Sequence, residues 1–133
     1  MPTTHQYFLT RLKHYHLSFK NALRGINWAL STQQNFKIHL SISALVLLFA
    51  FLLEISRLEM LLLIICIVFG LGAEMINTAV EAMTDLITNE WKKEAKIAKD
   101  ISAGMVLVMA IGTVIIGLSI FLPKLITLYF NIL

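Results

Sequence analysis

The chain alternates between long apolar runs and short polar breaks. The apolar runs occupy residues 36–53, 58–73 and 101–122, and the breaks occupy residues 54–57 and 88–100. A helix needs about 17 to 25 residues to cross the hydrocarbon core of a bilayer, and each run reaches that length alone or with the turns that follow it. The pattern therefore predicts three transmembrane helices over about residues 36–53, 58–86 and 101–122, with Pro123 ending the last one.

The segment before the first span has a helical period of its own. Apolar residues recur at helical spacing from Leu12 to Leu30, while Lys20, Asn21 and Arg24 lie on the other side. This pattern predicts an amphipathic helix over about residues 7–31 that lies on the membrane surface. Residues 1–15 contain neither an apolar core segment nor a small-residue cleavage site, so we expect no cleaved signal peptide.

The second span ends in a row of polar side chains. They occupy positions i, i+3, i+4, i+7 and i+11 of a helix, which places them on one face: Glu74, Asn77, Thr78, Glu81 and Asp85. The other face stays apolar and suits contact with lipid or with neighbouring helices. Because a carboxylate inside a membrane is costly, this polar stripe is a candidate functional site.

The composition agrees with a membrane protein, since 58% of the residues are hydrophobic and only 14% are charged. We predict an all-α membrane protein in which an N-terminal amphipathic surface helix precedes three transmembrane helices, within one domain over residues 1–133. The single Cys66 excludes a disulfide within the chain. The formal charge of +3 is spread along the sequence, so nothing indicates a nucleic-acid-binding patch.

Lysine and arginine are distributed unevenly between the two sides of the predicted spans. Five lie before or at the start of the first span and four lie in the break at residues 88–100, whereas only Arg57 and Lys124 lie on the opposite side. The positive-inside rule then places the N-terminus and the second break in the cytoplasm. We expect a multi-pass protein of the plasma membrane whose polar stripe approaches the cytoplasmic interface.

The stripe has the residue types that phosphoryl transfer requires. Glu81 and Asp85, one helical turn apart, can supply the hard oxygen ligands that Mg²⁺ prefers. Lys99 can neutralise phosphate and Asn77 can form hydrogen bonds, and phosphoryl transfer depends mainly on such positioning and charge neutralisation. Glu74 lies two turns deeper, where it suits the role of a general base toward a lipid hydroxyl.

Other functions are compatible with the same residues. The stripe would also suit an ion or proton pathway, and a structural membrane protein without chemistry is a third possibility. The soluble nucleotide-binding motifs GxxxxGK[ST] and GxGxxG and the protein-kinase catalytic loop are absent from the sequence. The residues by themselves exclude those kinase classes but leave a lipid kinase and a membrane conduit open.

Two segments carry a family resemblance. Residues 74–82 (EMINTAVEA) and 95–104 (AKIAKDISAG) resemble the two signature segments of the prokaryotic diacylglycerol kinase family, which includes undecaprenol kinases. The order of elements is similar too, and the resemblance covers roughly residues 19–125. Residues 85–88 and 121–125 are more similar to the undecaprenol kinase branch.

The resemblance implies a homotrimer with shared active sites that transfers the γ-phosphate of ATP, with Mg²⁺, directly to a lipid alcohol. Undecaprenol is favoured as the acceptor over diacylglycerol. By motif position, the resemblance implies that Glu74 is the general base and Glu81 a magnesium ligand. It places four further residues in the nucleotide and phosphate pocket: Asn77, Asp85, Lys99 and Asp100.

The sequence departs from the family pattern at two places. A glutamate that serves as a second metal ligand often precedes the Asn-Phe-basic-x-His segment, and here Gln33 and Gln34 precede it. Gln33 keeps a ligand oxygen but lacks the charge, so we expect it to bind the metal more weakly than glutamate would. A histidine is also common in the family near Trp91.

Overall fold

The computed structural model describes the backbone of residues 4–88 and 90–132 and the side chains of residues 18–88 and 90–131. Within these residues it contains four α-helices and no strand: α1 (Thr4–Thr32), α2 (Gln34–Leu52), α3 (Arg57–Ile87) and α4 (Lys93–Ile132). By length and composition, α2, α3 and α4 can each cross a membrane. The predicted all-α membrane fold is confirmed. The expectation that no signal peptide is cleaved concerns residues 1–15, whose side chains are not among the described ones.

The chain divides into two compact units, residues 1–34 and 35–133. The first unit contains α1, which is followed by Gln33, whose N–H donates to the carbonyl of Ala29 at 2.9 Å. Phe19, Leu23 and Ile26, at i, i+4 and i+7, are exposed along α1. This stripe is typical of a helix whose apolar side contacts a membrane surface.

The second unit has an apolar core near the reversal between α2 and α3. Ala50, Leu63 and Ile120, one from each helix, are buried together there. Ser56 caps α3, because its hydroxyl accepts from the N–H of Glu59 (3.3 Å) and its own N–H donates to the Glu59 carboxylate (2.7 Å). This capping box ends the reversal within the polar break that the sequence places at residues 54–57.

Helix α4 differs from its predicted bounds at both ends. It begins at Lys93 rather than near residue 101, so most of the predicted connection at residues 88–100 is helical. Lysine, glutamate and alanine dominate residues 93–100, and all three are strong helix formers.

The prediction that Pro123 ends the third span is also wrong, because α4 continues through it to Ile132. Proline removes one backbone hydrogen bond, whereas ending the helix in an apolar environment would leave several backbone groups without partners. The hydroxyl of Thr127 donates to the carbonyl of Pro123 at 2.9 Å, one turn beyond the proline.

Helix α3 turns its polar stripe toward the protein and its apolar face outward. Glu74 is 3% exposed and Asn77 is 6% exposed, whereas Met83 is 63% and Leu86 is 87% exposed. The main helix packing in the second unit is that of α3 against α4. The inner part of the polar stripe is therefore interior, whereas Asp85 at its outer end is exposed. The apolar face meets lipid or another protein, which is the reverse of a helix on a soluble core.

Gly117 of α4 makes no close contact with another helix among the described residues. A Cβ placed on Gly117 would have no atom of another helix within 4 Å, and the hydroxyl of Thr113 donates to the carbonyl of Met109 in its own helix at 2.8 Å. Thr113 and Gly117 have the small-xxx-small spacing that lets membrane helices approach closely.

Candidate functional site

A buried hydrogen bond joins α3 to α4 at the polar stripe. The hydroxyl of Ser102 lies 2.7 Å from Oδ1 of Asn77, and the two residues are 7% and 6% exposed. On its other side, Nδ2 of Asn77 donates to Oε1 of Glu81 at 3.1 Å. The Glu81 carboxylate is thus linked through Asn77 to the neighbouring helix.

Two ion pairs lie nearer the loop that connects α3 and α4. Nζ of Lys99 is 2.5 Å from Oδ1 of Asp85, and Nζ of Lys96 is 2.5 Å from Oδ2 of Asp100. All four side chains are substantially exposed, so each pair is worth at most about 1 kcal/mol of stability. The pairs therefore set the positions of charged groups near the loop and contribute little to the stability of the helix packing.

These charges line a groove of about 440 Å³, here called the loop groove. Its volume falls within the range typical of small-ligand sites. It combines three lysines, three carboxylates and an exposed tryptophan with smaller residues, and its lining consists of Thr84, Asp85, Thr88, Glu90, Trp91, Lys92, Ala95, Lys96, Lys99 and Asp100. The lysines offer contacts to anionic groups and the tryptophan offers a contact to a ring, while two of the lysines are paired with carboxylates of the same groove.

Glu74 lies deeper along α3 than the loop groove. Glu74 is 3% exposed, and no side chain among the described residues forms a hydrogen bond with it. It precedes Asn77 by three residues, or about 4.5 Å along the helix axis. Among the described residues no fully buried side-chain oxygen lacks a partner, so the carboxylate oxygens of Glu74 keep some access to their surroundings. A carboxylate at this depth of a membrane helix marks a candidate functional position.

The structure gathers most of the predicted site residues in one region. Asn77 contacts Glu81, and Asp85 contacts Lys99. Asp100 lines the loop groove together with Asp85 and Lys99. Gln33 lies in the first unit, where it is half-buried at the break between α1 and α2. Its role as a metal ligand stays a prediction.

The carboxylates of the polar stripe are oxygen donors of the type that magnesium prefers. Among the described residues, no three or more histidine, cysteine, aspartate or glutamate side chains form a group that could hold a metal ion. Structural zinc sites require four such ligands, but Mg²⁺ usually takes one or two carboxylates and completes its shell with water and phosphate oxygens. Glu81 and Asp85, beside a lysine-lined groove, match that requirement.

Two residues at the site were missed as functional candidates by reasoning from sequence. Ser102 reads as one of several small residues of the third span, although its position three residues after Lys99 puts both on the same side of α4. Trp91 reads as a departure from the family pattern, yet it lines the loop groove. The sequence prediction began the third span near residue 101, whereas α4 begins at Lys93 and so contains both Lys99 and Ser102.

Comparison with known proteins extends over most of the chain. Residues 20–121 match the family described as prokaryotic diacylglycerol kinase. Undecaprenol kinase of Bacillus subtilis (strain 168) is 42% identical over 114 residues, which cover 86% of this chain and 93% of that protein. Diacylglycerol kinase of Synechocystis sp. is 38% identical over 113 residues, covering 84% of this chain and 65% of that longer protein. Nothing in these similarities supports an ion or proton pathway.

Proposed function

The chain belongs to the prokaryotic diacylglycerol kinase family and is a membrane lipid kinase, and from this we propose that it transfers the γ-phosphate of ATP to undecaprenol in preference to diacylglycerol. The relative named undecaprenol kinase supports this choice, because it matches at 42% identity over 93% of its own length. The relative named diacylglycerol kinase is the longer protein. The similarity of residues 85–88 and 121–125 to the undecaprenol kinase branch also supports undecaprenol as the acceptor.

The observation that carries the proposal is the junction of a buried polar network with the loop groove. Ser102 contacts both Asn77 and the carbonyl of Lys99, and Lys99 lines the loop groove. In our proposal the loop groove binds ATP, with Lys99 and Lys96 against the phosphates and Asp100 on the nucleoside side. Trp91 offers an aromatic face on which the adenine ring can stack.

Glu81 and Asp85 are the residues that would hold Mg²⁺, and the family resemblance alone implies Gln33 as a further oxygen ligand. Their two carboxylates and the phosphate oxygens meet the usual coordination of this ion. When bound, Mg²⁺ supplies neutralisation of the charge on the transferred phosphoryl group. Asn77 holds Glu81 by its hydrogen bond of 3.1 Å and so limits the directions in which that carboxylate can point.

Glu74 is the proposed general base. Its burial and its depth, two turns inside Glu81, suit the hydroxyl of a lipid whose chain stays in the membrane. The hydroxyl oxygen attacks the γ-phosphorus, its proton passes to the Glu74 carboxylate, and the bond from the γ-phosphorus to the bridging oxygen breaks to release ADP. No phosphorylated enzyme intermediate is needed for this direct transfer.

We also propose a homotrimer with shared active sites in the plasma membrane, with the N-terminus and the loop groove on the cytoplasmic side. The apolar outer faces of α3 and α4 support an assembly, since residues such as Ile76 (55% exposed) and Val108 (68% exposed) are open in the single chain. The lysines of the loop groove, opposite the sparse Arg57 and Lys124, support the orientation.

One assay tests the proposed substrate. The purified protein is supplied with radiolabelled ATP and Mg²⁺, and with undecaprenol and diacylglycerol in parallel reactions at matched mole fraction in mixed micelles. We expect phosphorylation of both or of undecaprenol alone, with a higher kcat/KM for undecaprenol. A higher kcat/KM for diacylglycerol would overturn the proposed preference.

A further inference from the structure

Ser102 makes none of the substrate or metal contacts proposed above, yet its buried hydroxyl contacts Asn77, which donates a hydrogen bond to Glu81. We propose that Ser102 is a positioning residue of this kinase: its hydroxyl sets the orientation of the Asn77 amide and thereby the direction of the Glu81 carboxylate. The inference rests on the proposed role of Glu81 as a magnesium ligand and adds a residue on a second helix to that site.

The first step concerns the single proton of the Ser102 hydroxyl. Two acceptors are within reach, Oδ1 of Asn77 at 2.7 Å and the carbonyl of Lys99 at 2.9 Å. The Lys99 carbonyl lies within α4 and already accepts the backbone N–H four residues later. Oδ1 of Asn77 has no other donor among the described residues, so donation to Asn77 satisfies a buried acceptor that would otherwise lack a partner.

The second step concerns the Asn77 amide, which has two possible orientations. With Oδ1 toward Ser102, the Nδ2 group faces Glu81 and donates to its Oε1 atom. In the reversed orientation Oδ1 would face the carboxylate, and two acceptors would oppose each other without a proton between them. The proton from Ser102 favours the first orientation, because it stabilises Oδ1 on the side away from Glu81.

The third step leads from the amide to the metal ligand. A glutamate on a half-buried helix face has several rotamers, and the hydrogen bond from Asn77 selects among them by fixing Oε1. The Oε2 atom then stays available for a cation. Residues that hold a ligand in this way typically change metal affinity by about 10- to 100-fold when they are removed.

The test measures metal binding directly, with Mn²⁺ as the probe and electron paramagnetic resonance as the readout, on the full-length protein without nucleotide. Ser102→Thr and Ser102→Val are a matched pair, since their side chains have similar size and differ in the hydroxyl. We expect the threonine variant to bind Mn²⁺ as the unaltered protein does and the valine variant to bind it about tenfold more weakly. Equal Mn²⁺ affinity in these two variants would overturn the proposal.

A double-mutant cycle tests whether Ser102 acts through Asn77. Ser102→Ala should weaken Mn²⁺ binding in the unaltered protein and have no further effect in the Asn77→Ala background, because the link to Glu81 is then already missing. Independent effects in the two backgrounds would overturn the proposal. Ser119→Ala is the matched control on α4, since among the described residues the hydroxyl of Ser119 donates to the carbonyl of Ile115 in its own helix and to no other helix.

Glu81→Gln separates this inference from the proposed function. If Glu81→Gln weakens Mn²⁺ binding and Ser102→Val does not, Glu81 is a ligand and the positioning role of Ser102 is wrong. If Glu81→Gln leaves Mn²⁺ binding unchanged, the proposed metal site itself is wrong and the inference about Ser102 falls with it. Weaker binding in both variants supports the site and the positioning role together.

Discussion

Nζ of Lys99 on α4 lies 2.5 Å from Oδ1 of Asp85 on α3, so a proposed phosphate ligand and a proposed metal ligand form an ion pair across the connecting loop. The exposed fractions of the two side chains are 39% and 63%, which leaves the pair accessible to solvent and to a charged ligand. An exposed pair of this kind exchanges partners at low cost. Binding of a nucleotide phosphate by Lys99 is therefore compatible with this contact.

We expect Lys99→Met to raise the KM for ATP by about 10- to 100-fold, the equivalent of one lost charge-assisted hydrogen bond to phosphate. The melting temperature should change little, because the lost ion pair is exposed. Steady-state kinetics and thermal denaturation of the same preparation measure both quantities. Lys93→Met is the control, since Lys93 lies on the same helix but does not line the loop groove. A normal KM in Lys99→Met would contradict the assignment.

Glu74→Gln should lower kcat by roughly 10² to 10⁴, the range typical of a lost general base, because glutamine keeps the size of the side chain but accepts no proton. ATP binding should be retained, as measured by equilibrium binding on protein that keeps its oligomeric state. Glu59→Gln, near the opposite end of α3, is the control and should keep the normal kcat. If Glu74→Gln loses nucleotide binding instead, Glu74 belongs to the metal site.

Glu81→Ala should raise the Mg²⁺ concentration required for half-maximal rate, because a carboxylate ligand is removed from a site with few of them. High Mg²⁺ should recover part of the lost activity, since weak binding is offset by mass action. A Mg²⁺ titration of the initial rate measures this shift. An unchanged rate at low Mg²⁺ would show that Glu81 is no ligand.

Gln33→Glu should lower the Mg²⁺ concentration required for half-maximal rate, because it adds a negative charge to a proposed oxygen ligand. Gln34→Glu adds the same charge at the neighbouring, exposed position and serves as the control. If Gln33→Glu and Gln34→Glu give the same titration curve, the effect is one of general charge and Gln33 does not lie at the metal.

Ser56→Ala should destabilise the protein by about 0.5–2 kcal/mol, because it removes the capping hydroxyl at the start of α3. Reversible denaturation in micelles measures the free energy of unfolding. Ser119→Ala is again a suitable control, as its hydroxyl contacts only its own helix. Equal stability of the two variants would show that the capping box contributes little.

The sequence by itself was sufficient for the features that depend on local periodicity. The spacing of Glu74, Asn77 and Glu81 places them on one helix face whatever the helix packs against. The reversal between α2 and α3 was equally predictable, because a short polar break between two apolar runs can only turn at the membrane surface. The family resemblance then distinguished a lipid kinase from a conduit, which the residues alone left open.

Only the tertiary structure decided which residues of α3 meet which residues of α4. Ser102 and Asn77 are 25 residues apart and Lys99 and Asp85 are 14 apart, and no periodic pattern within one helix specifies such pairs. The pairs depend on where α4 begins and on how far it is rotated against α3, and both are set by packing over the whole interface. The sequence therefore supplied the chemical groups of the site, and helix packing determined the contacts between them.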